Sequence, residues 1–127
     1  MLAGQVIVLL EDDELIRRAT ERMLRRFGAE VVIGTSSSEA LEAAAARNLT
    51  PSCIIADYWL SPQEDGLSAA AAVRAAVRAA TAKPLRGLII TGDLSKEVAE
   101  DVRRAGFVLL RKPVNVDKFL DALTGPV

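Results

Sequence analysis

Acidic, hydroxyl and amino side chains follow four of the five short apolar segments of this 127-residue sequence. In chain order they are Glu11, Asp12, Asp13, Asp57, Thr91 and Lys112. Carboxylates that lie close together repel one another unless a cation lies among them. Oxygen ligands without His or thiolate suit Mg²⁺, and a Lys pairs with a carboxylate or a phosphoryl oxygen. A metal ion, a carboxylate nucleophile and a cation are the groups that phosphoryl transfer requires, so these residues predict that chemistry.

These side chains meet only if the apolar segments lie side by side. The apolar segments alternate with longer helical segments, a pattern typical of parallel strands joined by helices. The predicted strands span 5–10, 30–33, 53–56, 88–91 and 107–110, and the predicted helices span 14–27, 37–47, 67–81, 95–105 and 116–123. We therefore predict an α/β fold with a doubly wound, five-stranded parallel sheet, in which ligands lie beyond the carboxyl ends of the strands.

The pattern within the segments predicts helix faces and helix ends. Apolar residues recur at helical spacing in the first helix and predict its buried face; they are Ile16, Ala19, Met23 and Phe27. Leu15 lies about 100° around the helix from Ile16, which leaves two interpretations open: a wider buried stripe or an exposed contact for a partner. The predicted N-caps are Ser37 or Ser38, Ser95 and Asn115.

The composition disfavours several classes of protein. Lys and Arg number 16 and Asp and Glu number 17, so the net charge of −1 lacks the basic excess of a nucleic-acid-binding domain. The single Cys cannot form an intramolecular disulfide, and no apolar run approaches the roughly 20 residues of a membrane span. We expect a cytoplasmic protein without direct membrane contact. The sequence has no His, so a phosphohistidine donor must lie outside it.

Four motifs at the predicted strand ends resemble the receiver domain of two-component response regulators. They are Leu9–Asp12, Ile54–Asp57, Ile89–Gly92 and Lys112–Pro113. The segments 57–67 and 109–114 are most similar to the receivers attached to hybrid sensor histidine kinases. The resemblance covers nearly the whole chain and implies the flavodoxin-like (βα)5 fold with strand order 2-1-3-4-5.

The resemblance also implies a role for each site residue. Asp57 resembles the phosphoacceptor, and Lys112, before a proline that is usually cis, resembles the lysine that pairs with it. Thr91 resembles the hydroxyl that binds the phosphoryl group. The implied Mg²⁺ ligands are Glu11, Asp12, Asp57 and Trp59, with Asp12 and the Trp59 carbonyl in direct contact and Glu11 acting through water. Asp13 lies just past the acidic pair formed by Glu11 and Asp12.

Two positions depart from the pattern of that family. Leu109 stands where the family carries its switch aromatic, so rotation of an aromatic ring coupled to Thr91 is not available. The loop after Asp57 is also one residue longer than the commonest one. For Trp59 two interpretations stay open, packing within this loop or a gate over the site.

The function implied is phosphorelay signalling: Asp57 accepts a phosphoryl group from a histidine kinase or a histidine phosphotransfer protein, with slow hydrolysis or onward transfer. Leu15 and Pro113 are the expected docking contacts. The alternatives are a Mg²⁺-dependent phosphatase or phosphotransferase with an Asp nucleophile, and a pseudo-receiver that only binds partners. Trp59 disfavours the enzyme, because such enzymes carry a second acid there. We expect one domain over residues 1–127, either free-standing or part of a hybrid histidine kinase, whose oligomeric state stays open.

Overall fold

Five strands alternate with five helices in the computed structural model, which describes residues 1–93 and 95–125. The strands are β1 (Val6–Leu10), β2 (Glu30–Gly34), β3 (Cys53–Asp57), β4 (Arg86–Thr91) and β5 (Val108–Arg111). The helices are α1 (Glu14–Arg26), α2 (Ser37–Ala46), α3 (Gly66–Thr81), α4 (Lys96–Arg104) and α5 (Val116–Thr124). Every predicted element is present, with ends that differ by two residues or fewer.

The strands form one parallel sheet in the order β2-β1-β3-β4-β5, which confirms the predicted fold class and strand order. Leu10 at the end of β1 is in register with Gly34 on one side and Ala56 on the other. The chain leaves β1 toward β2 and later returns to the opposite side of β1 as β3. The strand order therefore reverses beside β1, and a crevice opens at its carboxyl end, where ligands of such sheets bind.

Two apolar layers cover the two faces of the sheet. Alternate residues of one strand point to opposite faces, so Ile54 packs with α2, α3 and α4 while Ile55 packs with α1 and α5. The Ala residues of α3 let that helix lie close to the sheet, with Ala69 and Ala70 fully buried. Among the residues described, no helix is long and apolar enough to cross a membrane.

The buried face of α1 differs from the prediction. Leu24 is its one buried residue; Ile16 is 44 % exposed, Ala19 is exposed, and Met23 and Phe27 are half-buried. Met23 and Leu24 are adjacent apolar residues, and helical periodicity allows either of them to be buried. Leu24 is the buried one because it packs with Val31 in the apolar layer between the sheet and helices α1 and α5. The predicted face is thus rotated away from the sheet, and this leaves apolar side chains of α1 in contact with solvent.

The helix caps are partly as predicted. Ser95 and Asn115 cap α4 and α5, as expected. The cap of α2 is Ser36 and not Ser37 or Ser38, because the Ser36 hydroxyl accepts a hydrogen bond from the Glu39 N–H at 3.2 Å. Ser37 is the first residue inside the helix, and its side chain contacts a distant part of the chain instead.

Candidate functional site

Three carboxylates meet at the carboxyl ends of the neighbouring strands β1 and β3. One oxygen each of Glu11, Asp12 and Asp57 lies within 4.8 Å of the others. Glu11 and Asp57 are only 6 % and 7 % exposed, whereas Asp12 is exposed. Asp13 lies outside this group, because its side chain caps α1 through the N–H groups of Leu15 and Ile16. The structure thus brings together the three carboxylates that the resemblance implied as metal ligands, without Asp13.

Asp57 is held through both of its oxygens. Its Oδ1 accepts a hydrogen bond from the Trp59 N–H at 3.0 Å, and its Oδ2 accepts one from Lys112 Nζ at 2.7 Å. Lys112 follows β5 and is placed by its own N–H, which donates to the Thr91 carbonyl at 2.9 Å. The Lys112–Pro113 peptide bond is cis, as the resemblance implied. The hydrogen bond to Asp57 raises the pKa of Lys112, so the amine stays charged.

Glu11 is the buried carboxylate whose negative charge the surrounding groups stabilise least. Burial, with a smaller contribution from the Asp57 charge, raises the pKa of Glu11 from 4.5 to about 7, although the Asp13 N–H donates to it at 3.1 Å. A cation between the carboxylates would reverse this shift. A donor set of carboxylate oxygens, without His or Cys, suits a hard cation such as Mg²⁺, which takes one or two carboxylates directly and keeps several waters. The residues present therefore fit a Mg²⁺ ion.

Thr91 ends β4 next to the acidic group and is fully buried. Its Oγ1 accepts a hydrogen bond from the Asp93 N–H at 2.9 Å, so the hydroxyl proton remains free to donate to another group. The side chain of Leu109, on the neighbouring strand β5, is half-buried against the core on the α3–α4 side of the sheet. The position of the family's switch aromatic is thus occupied by an aliphatic side chain.

The loop between β3 and α3 surrounds the outer side of the site. Trp59 is 62 % exposed and makes an edge-to-face contact with Tyr58, whose ring centroid is 4.9 Å away. Leu60 is buried, and the Gly66 N–H donates to the Tyr58 carbonyl at 2.8 Å. A Cβ at Gly66 would overlap the Asp57 backbone, so only glycine allows the loop to close this near to Asp57.

The two predicted docking residues are both exposed to solvent. Leu15 is 82 % exposed, which excludes it from the buried stripe of α1, and Pro113 is also exposed. Between α1 and α5 a cavity of about 460 Å³ reaches from Ile16 and Phe119 to Asp57. Its walls are mostly apolar, so the charged site opens onto an apolar groove.

The contact between two residues of this region, Glu64 and Ser37, was not predicted from the sequence. The carboxylate of Glu64, in the loop after β3, accepts hydrogen bonds from both the backbone N–H and the hydroxyl of Ser37. The sequence did carry a sign of this contact, because the loop is one residue longer than the commonest one. A local pattern does not show that two residues 27 positions apart meet.

Comparisons with known proteins agree with this geometry. Residues 7–124 match the family model of the response regulator receiver domain, whereas no curated protein sequence matches. The chemotaxis protein CheY4 of Vibrio cholerae is 26 % identical, with a TM-score of 0.76 over 95 % of this chain and 97 % of that chain. The receiver domain of a Pseudomonas aeruginosa sensor histidine kinase, solved with magnesium in its active-site cleft, is 27 % identical, with a TM-score of 0.72 over 95 % of both chains.

A third solved structure is also similar. It is a response regulator protein from Burkholderia pseudomallei with a phosphorylated aspartic acid and a calcium ion, and it is 27 % identical. Its TM-score is 0.73 over 96 % of this chain and 68 % of that chain. Because the family model spans almost the entire sequence and the fold matches as well, the chain belongs to the response regulator receiver domain family.

Proposed function

We propose that Asp57 accepts a phosphoryl group from a phosphohistidine of a partner protein, in a reaction that needs Mg²⁺. As a receiver domain the chain belongs to two-component phosphorelay signalling, in which receivers interact with histidine kinases or phosphotransfer proteins. The observation that carries the proposal is the 2.7 Å contact between Lys112 Nζ and the buried Asp57, beside two further carboxylates. A pseudo-receiver would have no use for this complete set.

The metal ligands that we propose are the side chains of Glu11, Asp12 and Asp57, together with the carbonyl of Trp59. When bound, Mg²⁺ neutralises charge on the phosphoryl oxygens. The donor set supports this assignment, as does the magnesium ion in the receiver of the Pseudomonas kinase. The three carboxylates contribute the charge, and the Trp59 carbonyl adds a neutral oxygen from the loop that follows β3.

In the proposed step an oxygen of Asp57 forms a bond to phosphorus as the bond from phosphorus to the donor's imidazole breaks. The electron pair of that bond stays on the imidazole nitrogen, and the ring leaves as neutral imidazole because its other nitrogen carries a proton. Negative charge spreads over the three phosphoryl oxygens. The ammonium group of Lys112 neutralises part of it. The Thr91 hydroxyl donates a hydrogen bond to one oxygen, because Thr91 only accepts in its contact with Asp93.

The phosphodonor docks, in this proposal, on the surface that carries Leu15 and Pro113. Both are exposed; Pro113 lines the apolar groove that leads to Asp57, and Leu15 is next to Ile16, which also lines it, so a partner helix placed there brings its histidine to the acceptor. The chain is equally similar to a receiver from a kinase and to a chemotaxis protein, and the proposed chemistry is common to both. We place the reaction in the cytoplasm, in agreement with the unpaired, buried Cys53.

Incubation with acetyl phosphate tests the acceptor directly. With Mg²⁺ the intact mass should increase by one phosphoryl group, and with chelator it should not. Asp57→Asn is the matched control, because Asn keeps the shape of the side chain but provides no carboxylate oxygen. Phosphorylation of Asp57→Asn to the same extent as the wild type would refute the assignment.

A further inference from the structure

The contact between Glu64 and Ser37 links the loop of the site to a helix that carries no site residue. The Glu64 carboxylate accepts from the Ser37 N–H at 2.9 Å and from the Ser37 hydroxyl at 2.6 Å. Ser37 is the first residue of α2. The first N–H groups of a helix have no partner within the helix and attract negative charge. Glu64 therefore binds the N-terminal end of α2 through two hydrogen bonds, and the negative charge of its carboxylate strengthens both of them.

The main chain of Glu64 transmits this restraint to the rest of the loop. Ser61 donates to the Glu64 carbonyl from its N–H at 3.2 Å and from its hydroxyl at 3.3 Å, and the Glu64 N–H donates to Ser61 Oγ at 3.1 Å. Residues 61–64 thus form a closed turn. This turn directly follows Trp59 and the buried Leu60, so its position determines the path of the chain beside the site.

We propose that Glu64 is a positioning residue for the metal site: its bridge to Ser37 holds the loop so that the Trp59 carbonyl faces the acidic residues. The inference rests on the proposed function, since it assumes Mg²⁺ at Glu11, Asp12 and Asp57. The base of the loop is already closed by Gly66 and Tyr58. Leu60 restrains the loop from within the core, and the Glu64–Ser37 bridge restrains its outer half. Loss of the bridge leaves the carboxylate ligands in place but loosens the turn at residues 61–64, which follows the segment that carries the carbonyl.

The test is the affinity for Mg²⁺, measured without a phosphodonor. Calorimetric titration with MgCl₂, supported by fluorescence of Trp59, gives the dissociation constant of each variant. We expect Glu64→Ala to weaken binding about three- to tenfold, less than the roughly 10- to 100-fold expected for a group hydrogen-bonded directly to a metal ligand. Glu64→Gln keeps the shape and should have a smaller effect.

Glu39→Gln is the matched control for damage to α2. Glu39 also lies at the start of α2 and accepts from Thr35 through both carboxylate oxygens, and none of its hydrogen bonds among the described residues reaches the loop. Loss of either glutamate should lower the melting temperature, and only loss of Glu64 should weaken Mg²⁺ binding. The double variant Glu64→Ala with Ser37→Ala should bind no worse than Glu64→Ala alone, because the two residues act through each other.

The possible results separate this inference from the proposed function. A wild-type chain that does not bind Mg²⁺ would overturn both. A wild-type chain that binds while Glu64→Ala binds equally well would overturn the positioning role alone. Equal weakening by Glu39→Gln and Glu64→Ala would also overturn it, because the effect would then come from the end of α2 and not from the loop.

Discussion

Replacing Glu11 with Gln should stabilise the metal-free protein at neutral and alkaline pH. The pKa of Glu11 is raised from 4.5 to about 7, chiefly by burial. A carboxyl group with a raised pKa contributes its full stability below pH 4.5, and this contribution is lost as the pH rises through 7. Gln cannot ionise, and its amide oxygen can still accept the hydrogen bond from the Asp13 N–H. The free energy of unfolding of the variant should therefore not include this loss at high pH.

The pKa shift sets an upper bound of about 3 kcal/mol on this loss, since one pKa unit corresponds to about 1.4 kcal/mol. The edge of the site is open to solvent at Asp12, and screening there lowers the expected value to about 1–2 kcal/mol. For a domain of this size that is roughly 4–8 °C in melting temperature. Mg²⁺ should reverse the order, because the ion stabilises the ionised form of Glu11 in the wild type and finds one charge fewer in the variant.

Urea unfolding in chelator at pH 5 and at pH 8 measures the effect. The free energy of unfolding of the wild type should fall relative to that of Glu11→Gln between these two values. Subtracting the free energy of one protein from that of the other removes the contribution of the titrating groups that do not interact with Glu11. Parallel pH profiles for the two proteins would show that Glu11 is not the strained carboxylate and would refute the reasoning.

Three further changes test other parts of the site. Asp12→Ala should weaken Mg²⁺ binding at least about tenfold, read from Trp59 fluorescence; unchanged affinity would remove Asp12 from the ligand set. Leu15→Asp should slow phosphotransfer from a phosphohistidine partner about tenfold while leaving phosphorylation by acetyl phosphate intact; equal slowing with both donors would contradict docking. Trp59→Asn should shorten the lifetime of the aspartyl phosphate about fivefold, which corresponds to about 1 kcal/mol of barrier, because the exposed indole obstructs the attacking water. The loss of phosphorylated mass with time measures this lifetime, and an unchanged rate of loss would show that Trp59 is not a gate.

The fold and the acidic site could be predicted from the sequence because both depend on order along the chain. Alternating apolar and helical segments require a parallel sheet, and a parallel sheet brings its strand ends to one edge. Asp57 and Lys112 are 55 positions apart, yet each follows a strand, so their meeting requires no knowledge of side-chain packing.

The orientation of α1 and the bridge from Glu64 could not be predicted in the same way. A helix with apolar residues at adjacent positions, such as Met23 and Leu24, has two faces of similar hydrophobicity, and the shape of the sheet decides between them. The Glu64–Ser37 contact depends on the length of a loop relative to the start of a helix packed on another strand. The spacing of residues along the chain predicts neither the buried face of α1 nor the distance between this loop and the start of α2.

The same distinction bears on how phosphorylation would be transmitted. Leu109 lacks a ring that could turn toward Thr91, so a signal that leaves the site through β4 and β5 would have to use backbone or aliphatic movement. The loop after β3 offers a second physical connection, because it begins at Asp57 and is hydrogen-bonded to the first residue of α2. A charge added at Asp57 would act on the hydrogen bond from the Trp59 N–H, and the turn at Ser61–Glu64 joins that segment to α2. Coupling through this loop requires a change in contacts that already exist and no aromatic residue.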